Sequence, residues 1–516
     1  MEEIKDKGVY YTAVKLCEDI KQMPSYPSLY SDVQKVVSST SVKNDEFGDS
    51  LTKVLKESGL EARLRNSVYY WVRSQSKEPA PPMFDSFFKK AQIQWEKRIH
   101  KSLNSMCTEL GIHLARLRTN SDREELLEKW GELSNYDVDI SKYRPVYSPK
   151  DFLEVLLNLK GPNYKPKQDE PAWDFSHIPI KVKELSELRI LYSELSHGEA
   201  VLGIDVSRNA SCGYAAFEAE RIELGEKVFE TNHAPIAQEY LKKGCPPSLR
   251  TKMWKLVLGS DTNDTHRLQY EKLKSHVLQY DLMIDKLIIK DIHLTASNDD
   301  QYFVFEDVLH QVLLCFSRDP EVLKLLPYKP GYMQVVLKGK SSVPESTLTF
   351  PPSGVIPFHG FTMYAAPFCY LFDDSVELYF MFRAFYLRYW FRLHKVCGHP
   401  QGIVCLCLLY ERLLQCFDTV LWHHFKKNNI PPIRVVFKWM MRAFSGHLPP
   451  DQLLYLWDLI LAYDSLEIVP LLAVTIVIFR RANLLRVNTL QNMEAVLADL
   501  SSISVMSMLQ MSLSKE

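Results

Sequence analysis

The sequence predicts an all-α fold, on three observations. Apolar residues recur at helical rather than alternating spacing, the carboxy-terminal half is a series of long helical patterns, and proline pairs fall between those patterns. Ile99, Leu103, Met106 and Leu110 stand at i, i+4, i+7 and i+11, so the stretch from Met1 to about Lys160 reads as a helical amino-terminal region with this face in its core. Tyr143 to Ser148, and then Gly161-Pro162-Asn163-Tyr164-Lys165-Pro166 through Pro171, bring proline, glycine and charge together, which breaks helices. A boundary is placed there, and residues 161–230, with a turn-like Ser207-Arg208-Asn209-Ala210-Ser211, are read as a linker or an unassigned segment.

From about Thr231 the helical patterns lengthen. Glu377 to Leu393 is packed with aromatics, carries charge only at Glu377, Arg383, Arg388 and Arg392, and is too long and too little alternating for a strand. Leu454, Trp457 and Leu461 share a helix face, as do Val496, Leu497 and Leu500. Pro431-Pro432 and Pro449-Pro450 sit where they can start or separate helices. Val469 to Phe479 is little more than half a bilayer span and stops at Arg480-Arg481, so it reads as a buried core helix. Residues 486–516 are expected to form a carboxy-terminal helix.

Composition narrows the function. The chain has 516 residues, 46% hydrophobic and 24% charged, a length that allows two to four domains at roughly 150 residues each. Lys and Arg number 62 against 63 Asp and Glu, so no field steers the protein toward phosphate backbones, and nucleic acid is not an expected partner. No window of about 18 uncharged apolar residues exists, so no transmembrane segment is expected. Met1-Glu2-Glu3-Ile4-Lys5-Asp6-Lys7 lacks the basic-then-apolar order of a secretory signal, and Glu2 stands where myristoylation needs glycine; a cytoplasmic protein is expected. Ten cysteines, most inside apolar runs such as those around Cys315, Cys369, Cys405 and Cys407, read as reduced core thiols. The glycosylation-type triplets at Asn209 and Asn263 are then chance matches.

Several chemistries lack support. Lys338-Gly339-Lys340-Ser341 looks like the end of a phosphate-binding loop, but Gln334 stands where its first glycine should be, so no nucleotide or other cofactor of its own is expected. His394, Cys397, His399, Cys405 and Cys407 form no paired knuckles, and no metal site is assigned. There is no G-x-S-x-G elbow, H-E-x-x-H helix or kinase signature set.

What remains is an ordered set of segments. Gly244-Cys245-Pro246-Pro247-Ser248-Leu249-Arg250 leads into Trp254, which on physics alone is a turn, a proline-initiated helix and a buried tryptophan, with Arg250 capping or pairing locally. Ile288-Ile289-Lys290-Asp291-Ile292-His293-Leu294-Thr295 follows, then Gly360-Phe361-Thr362-Met363-Tyr364-Ala365-Ala366-Pro367, then Trp439 to Phe444 and Leu456-Trp457-Asp458. Together these resemble the TBC domain, the Rab GTPase-activating module, over roughly Thr231 to Leu485. Trp439 and Trp457 are expected in the core.

The resemblance implies a two-lobed helical TBC-type domain over 231–485, a Rab-family small GTPase as partner, a role in vesicle traffic and recruitment to endomembranes through the Rab. GTP and Mg²⁺ would be bound by that partner. In the family's arginine-finger motif Ile288, Asp291 and Thr295 occupy their places, but the finger position is Leu294. The glutamine-finger motif lands on Pro357-Phe358-His359-Gly360, with His359 where glutamine should stand. The proline-rich stretch near 319–356 departs from the usual short connection and is read as a tolerated surface insertion. An arginine finger contributes on the order of 10³ to 10⁵ in rate, or about 4 to 7 kcal/mol, and leucine can recover none of it. His359 could position water weakly, although a buried, locally satisfied histidine is the default reading. Arg250, Arg267, Arg383, Arg388 and Arg392 are candidate substitutes whose default roles are capping and helix-face pairing. A GTPase activator with an unusual mechanism, a Rab-binding protein without activity, and a helical scaffold therefore compete.

Overall fold

The computed structural model describes residues 18, 21–22, 26–38, 44–57, 59–75, 82–135, 138–161, 178, 180–196, 198–204, 213–298, 301–326, 333–337 and 346–514. Among the described residues the first long helices are α1 (Tyr26–Ser38), α2 (Asn44–Glu57), α3 (Leu60–Gln75) and α4 (Pro82–Leu110). Ile99, Leu103 and Met106 of α4 are buried and Leu110 packs beside them, as their spacing requires. A three-residue strand β1 (Ala115–Leu117) leads to α5 (Asn120–Glu128) and α6 (Pro149–Leu157). Thr119 and Ser148 cap these two helices, each exchanging bonds with an aspartate three residues on. The break expected around Tyr143 to Ser148 thus ends as the start signal of the next helix.

The segment from 161 to 230, unassigned from sequence, contains α7 (Leu185–Leu191) and most of α8 (Gly213–Thr231). Then come α9 (Ala234–Leu241), α10 (Pro247–Leu258), α11 (Asp264–Gln279), strand β2 (Tyr280–Leu282), α12 (Met283–Asn298), α13 (Glu306–Ser317) and α14 (Pro320–Leu325). Within the proline-rich insertion β3 (Met333–Leu337) and β4 (Ser346–Phe350) pair antiparallel. The remainder is helical: α15 (Ser375–Arg388), α16 (Ile403–Phe417), α17 (Thr419–Lys427), α18 (Ile433–Met441), α19 (Pro450–Tyr463), α20 (Ile468–Phe479), α21 (Arg481–Leu484), α22 (Leu490–Val496) and α23 (Val505–Leu513). The fold is all-α. The carboxy-terminal stretch expected as one helix forms two, because Leu497 ends the first turn pattern and Asp499 accepts from the Ser501 N–H in a tight turn between them.

Two helical groups share the core. In one, α13 packs on α11, α12 and α15; in the other, α16 packs on α18 and α20, and α20 reaches α23. Helices α9 and α10 join them, touching α19, and α10 also meets α15. From Ile468 to Val477, α20 is buried on every side, which is why its sequence shows no amphipathic stripe. Pro450 opens α19 and Pro432 precedes α18, so both proline pairs mark helix starts.

The amino-terminal region is built into this body. Strand β1 pairs antiparallel with β2, Ala115 opposite Leu282, and α6 packs on α18. Arg118 donates from its Nη2 to Asp285 at 3.3 Å, and Arg318 donates to the same carboxylate at 2.7 Å, so one buried acid holds two arginines from distant segments. Arg73 of α3 reaches Asp464 at 2.8 Å. Among the described residues no helix is long and apolar enough to cross a membrane, and the described cysteines are free thiols, most of them buried.

Candidate functional site

Helix α12 sorts the first motif by face. Ile288, Asp291, Ile292 and Thr295 are buried, while Leu294 is partly exposed. An isolated buried carboxylate is costly, so Asp291 must be satisfied by donors. It accepts the Gly360 N–H at 2.6 Å, the Thr362 N–H at 2.8 Å and the Thr362 hydroxyl at 2.7 Å. Asp291 is therefore a clamp that fastens the 359–362 turn onto α12.

The turn needs a glycine. Gly360 has φ +95°, and a side chain there would run into the Arg442 guanidinium packed against its backbone. Arg442 Nη2 donates to the His359 carbonyl at 3.2 Å, and the His359 N–H donates to the Tyr147 carbonyl at 3.0 Å. Burial pulls the Arg442 pKa down, and Asp291 opposes that shift. The expected buried, satisfied His359 is not what the fold makes. Its side chain is 42% exposed, and Nδ1 lies 3.6 Å from Asp291 Oδ1, beyond a hydrogen bond. The ring is thus half-buried: its Nδ1 is enclosed on the Asp291 side without a hydrogen-bond partner, while part of the side chain remains exposed.

Leu294 and His359 line one shallow depression, walled by Pro145, Leu287 and Pro357. None of the five candidate arginines lies there. Arg267 pairs with Asp374 at 2.8 Å, Arg383 with Asp319 at 3.0 Å, Arg388 with Asp464, and Arg392 donates to Gln401 at 3.1 Å. Arg250, expected to cap or pair locally, crosses the fold: its Nε is 3.1 Å from both Asp458 oxygens and its Nη2 is 3.0 Å from Oδ2. Trp254 Nε1 donates to Asp458 Oδ1 at 2.7 Å. Gly244 precedes this helix with φ +85°, where a side chain would meet Leu202, and Pro246 stands at the cap. Trp457 is fully buried and donates to the Ala443 carbonyl at 3.1 Å; Trp439 is buried too. The Gly244, Pro246, Arg250, Trp254, Trp457 and Asp458 set is thus structural, and none of these residues lines the depression. Arg442 was missed because its partner lies 83 residues away along the chain. Among the described residues no group of three or more His, Cys, Asp or Glu could hold a metal ion.

The chain's class follows from its likeness to known proteins. The chain belongs to the Rab-GTPase-TBC domain family, whose pattern it matches over residues 358–485. It is 44% identical over 508 residues to TBC1 domain family member 19 of Homo sapiens, covering 96% of each. The family match takes in His359, Gly360, Trp457 and Asp458; the upstream segments from Gly244 and Ile288 precede it. Among solved structures, the Chlamydomonas flagellar RabGAP TBC domain is 15% identical with a TM-score of 0.40, covering 65% of this chain and 95% of that one. The Ypt/Rab-GAP domain of Gyp1p is 13% identical with a TM-score of 0.38, covering 64% and 97%.

Proposed function

We propose that this chain regulates a Rab-family small GTPase by docking its GTP-loaded form on the face that carries Leu294 and His359. The observation that carries the reading is the Asp291 clamp, which brings both finger-motif segments to one depression with the turn fixed in place. The partner keeps the GTP and Mg²⁺, and a cytoplasmic protein drawn to endomembranes in vesicle traffic follows from such a partner.

Chemistry argues against ordinary turnover. Phosphoryl transfer needs a cation against the developing charge and a group that orients the attacking water. Leu294 offers no charge and no donor, and the arginines considered as substitutes are engaged elsewhere. The protein is then a Rab-binding regulator without catalytic power of its own, a pseudo-GAP. A second reading, acceleration by an unusual route, is favoured by one observation: the His359 side chain is partly exposed in the lining of the depression beside Leu294, although its Nδ1 is buried on the Asp291 side.

The test is binding to a panel of purified Rabs in GTP-loaded and GDP-loaded forms, alongside single-turnover hydrolysis. Binding of a GTP-loaded form without acceleration is expected. Acceleration that disappears in His359→Ala would select the second reading, and silence in both assays would overturn docking altogether.

A further inference from the structure

The finger-position depression has a wall that the TBC-type helices do not supply. Residues 138–148 of the amino-terminal region supply Pro145 to its edge, and five contacts fasten them in place. The Tyr147 carbonyl accepts the His359 N–H at 3.0 Å. Lys290 Nζ, one residue before the clamping Asp291, donates to the Ile140 carbonyl at 3.2 Å and to the Tyr143 carbonyl. The Tyr147 ring lies 5.6 Å from Phe358 and 5.1 Å from Trp95, wedged between the loop and α4. Pro145 then lines the depression beside Leu294 and His359. The strap is bonded both to the helix that carries Leu294 and to the loop that carries His359.

This arrangement decides which cations face outward. The Lys290 ammonium is spent on strap carbonyls, and Arg442 sits behind the turn, bonded to its backbone. On the strap, by contrast, Lys142 is 68% exposed beside Asp139, and Arg144, adjacent to the wall residue Pro145, is 49% exposed. Arg144 is held only by long contacts, 3.2 Å to the Ser102 hydroxyl and 3.4 Å to an exposed Glu109. Such exposed pairs contribute little, so releasing this guanidinium to a partner is cheap.

We propose that residues 138–148 form part of the GTPase-docking surface, with Arg144 and Lys142 as its cationic contacts to the negatively charged nucleotide-bearing face of the partner. The inference rests on the docking reading above. Pro145 stands beside Leu294 and His359 in the lining of the depression, so a partner seated there also meets the strap, whose exposed cations are Arg144 and Lys142. The surface that binds the partner is therefore built from both parts of the chain, and cations at its rim act on association and salt dependence.

The experiment measures binding of the full chain to the GTP-loaded Rab it prefers, at low and at moderate salt. Arg144→Glu combined with Lys142→Glu should weaken binding by about tenfold or more and flatten the salt dependence. Lys227→Glu, an equally exposed charge on α8, should leave both unchanged. Both substituted residues are exposed, and unchanged thermal unfolding would confirm an intact fold. Hydrogen exchange supplies the second measurement: amides of 138–148 should gain protection when the Rab is added. Unchanged affinity of the double variant, tighter binding by it, or no added protection would each overturn the strap's role while leaving docking standing. Failure of the unmodified chain to bind any GTP-loaded Rab would instead overturn the docking reading, and this inference with it.

Discussion

Two buried aspartates do the same kind of work in different settings. Asp458 is sealed in the core, satisfied by Arg250 and Trp254, and every residue of its motif serves packing. Asp291 is also buried, but its partners are the backbone of a turn, and that turn presents a half-exposed His359 beside Leu294. The first network stabilises; the second is a mount. The difference teaches that a framework can persist independently of what it carries. On the function proposed above, the Asp291 mount holds toward a partner two groups, Leu294 and His359, that lack the charge and reach GTP hydrolysis needs.

The largest expected effect tests the mount by refitting it. Leu294→Arg with His359→Gln should raise GTP hydrolysis on a bound Rab by at least about 10³, the low end of what an arginine finger contributes. No gain on a Rab that demonstrably binds would mean that the mount does not hold the two positions as proposed. Next comes the sealed network. Asp458→Ala leaves the Arg250 guanidinium buried and unpaired, and urea unfolding should show a loss of about 3 to 5 kcal/mol. A loss below about 1 kcal/mol would break the contrast drawn here.

Gly360→Ala strains a left-handed backbone and forces Arg442 aside, so a loss of about 1 to 3 kcal/mol is expected. Adding Arg442→Ala should return part of that loss in the same unfolding assay, because it removes the collision but leaves the backbone strain. The smallest effect concerns pH, at the joint between the amino-terminal region and the helical core. Burial alone would raise the pKa of Asp464, but Arg73 and Arg388 outweigh it and hold the carboxyl at about 2, against an ordinary 3.8. A folded pKa below the unfolded one gives stability that is present above about pH 4 and lost as pH falls toward 2. Its size is about 2 kcal/mol. Asp464→Asn should flatten the acid limb of a stability profile, and an unchanged limb would remove this joint from the account.

How much of this was legible in the sequence follows from where each signal lies. The Trp457 face of α19 was legible because apolar residues recur at helical spacing, and α20 because an unbroken apolar run too short for a bilayer stops at Arg480-Arg481. The motif order brought Leu294 and His359 together as a pair before any coordinates did. The strand pairing of Ala115–Leu117 with Tyr280–Leu282 was not legible, since three residues carry no period. Nor was the half-exposed setting of His359. Tyr147 and Arg442 hold the two peptide groups that flank it, and no local pattern encodes contacts made across such separations.

The most direct test of the central claim is single-turnover hydrolysis by a GTP-loaded Rab held at saturating concentrations of this chain. An unchanged intrinsic rate, with binding demonstrated in the same samples, is the result expected of a mount without its fingers. Acceleration of a hundredfold or more by the unmodified chain would contradict it, and would point to the half-exposed ring of His359.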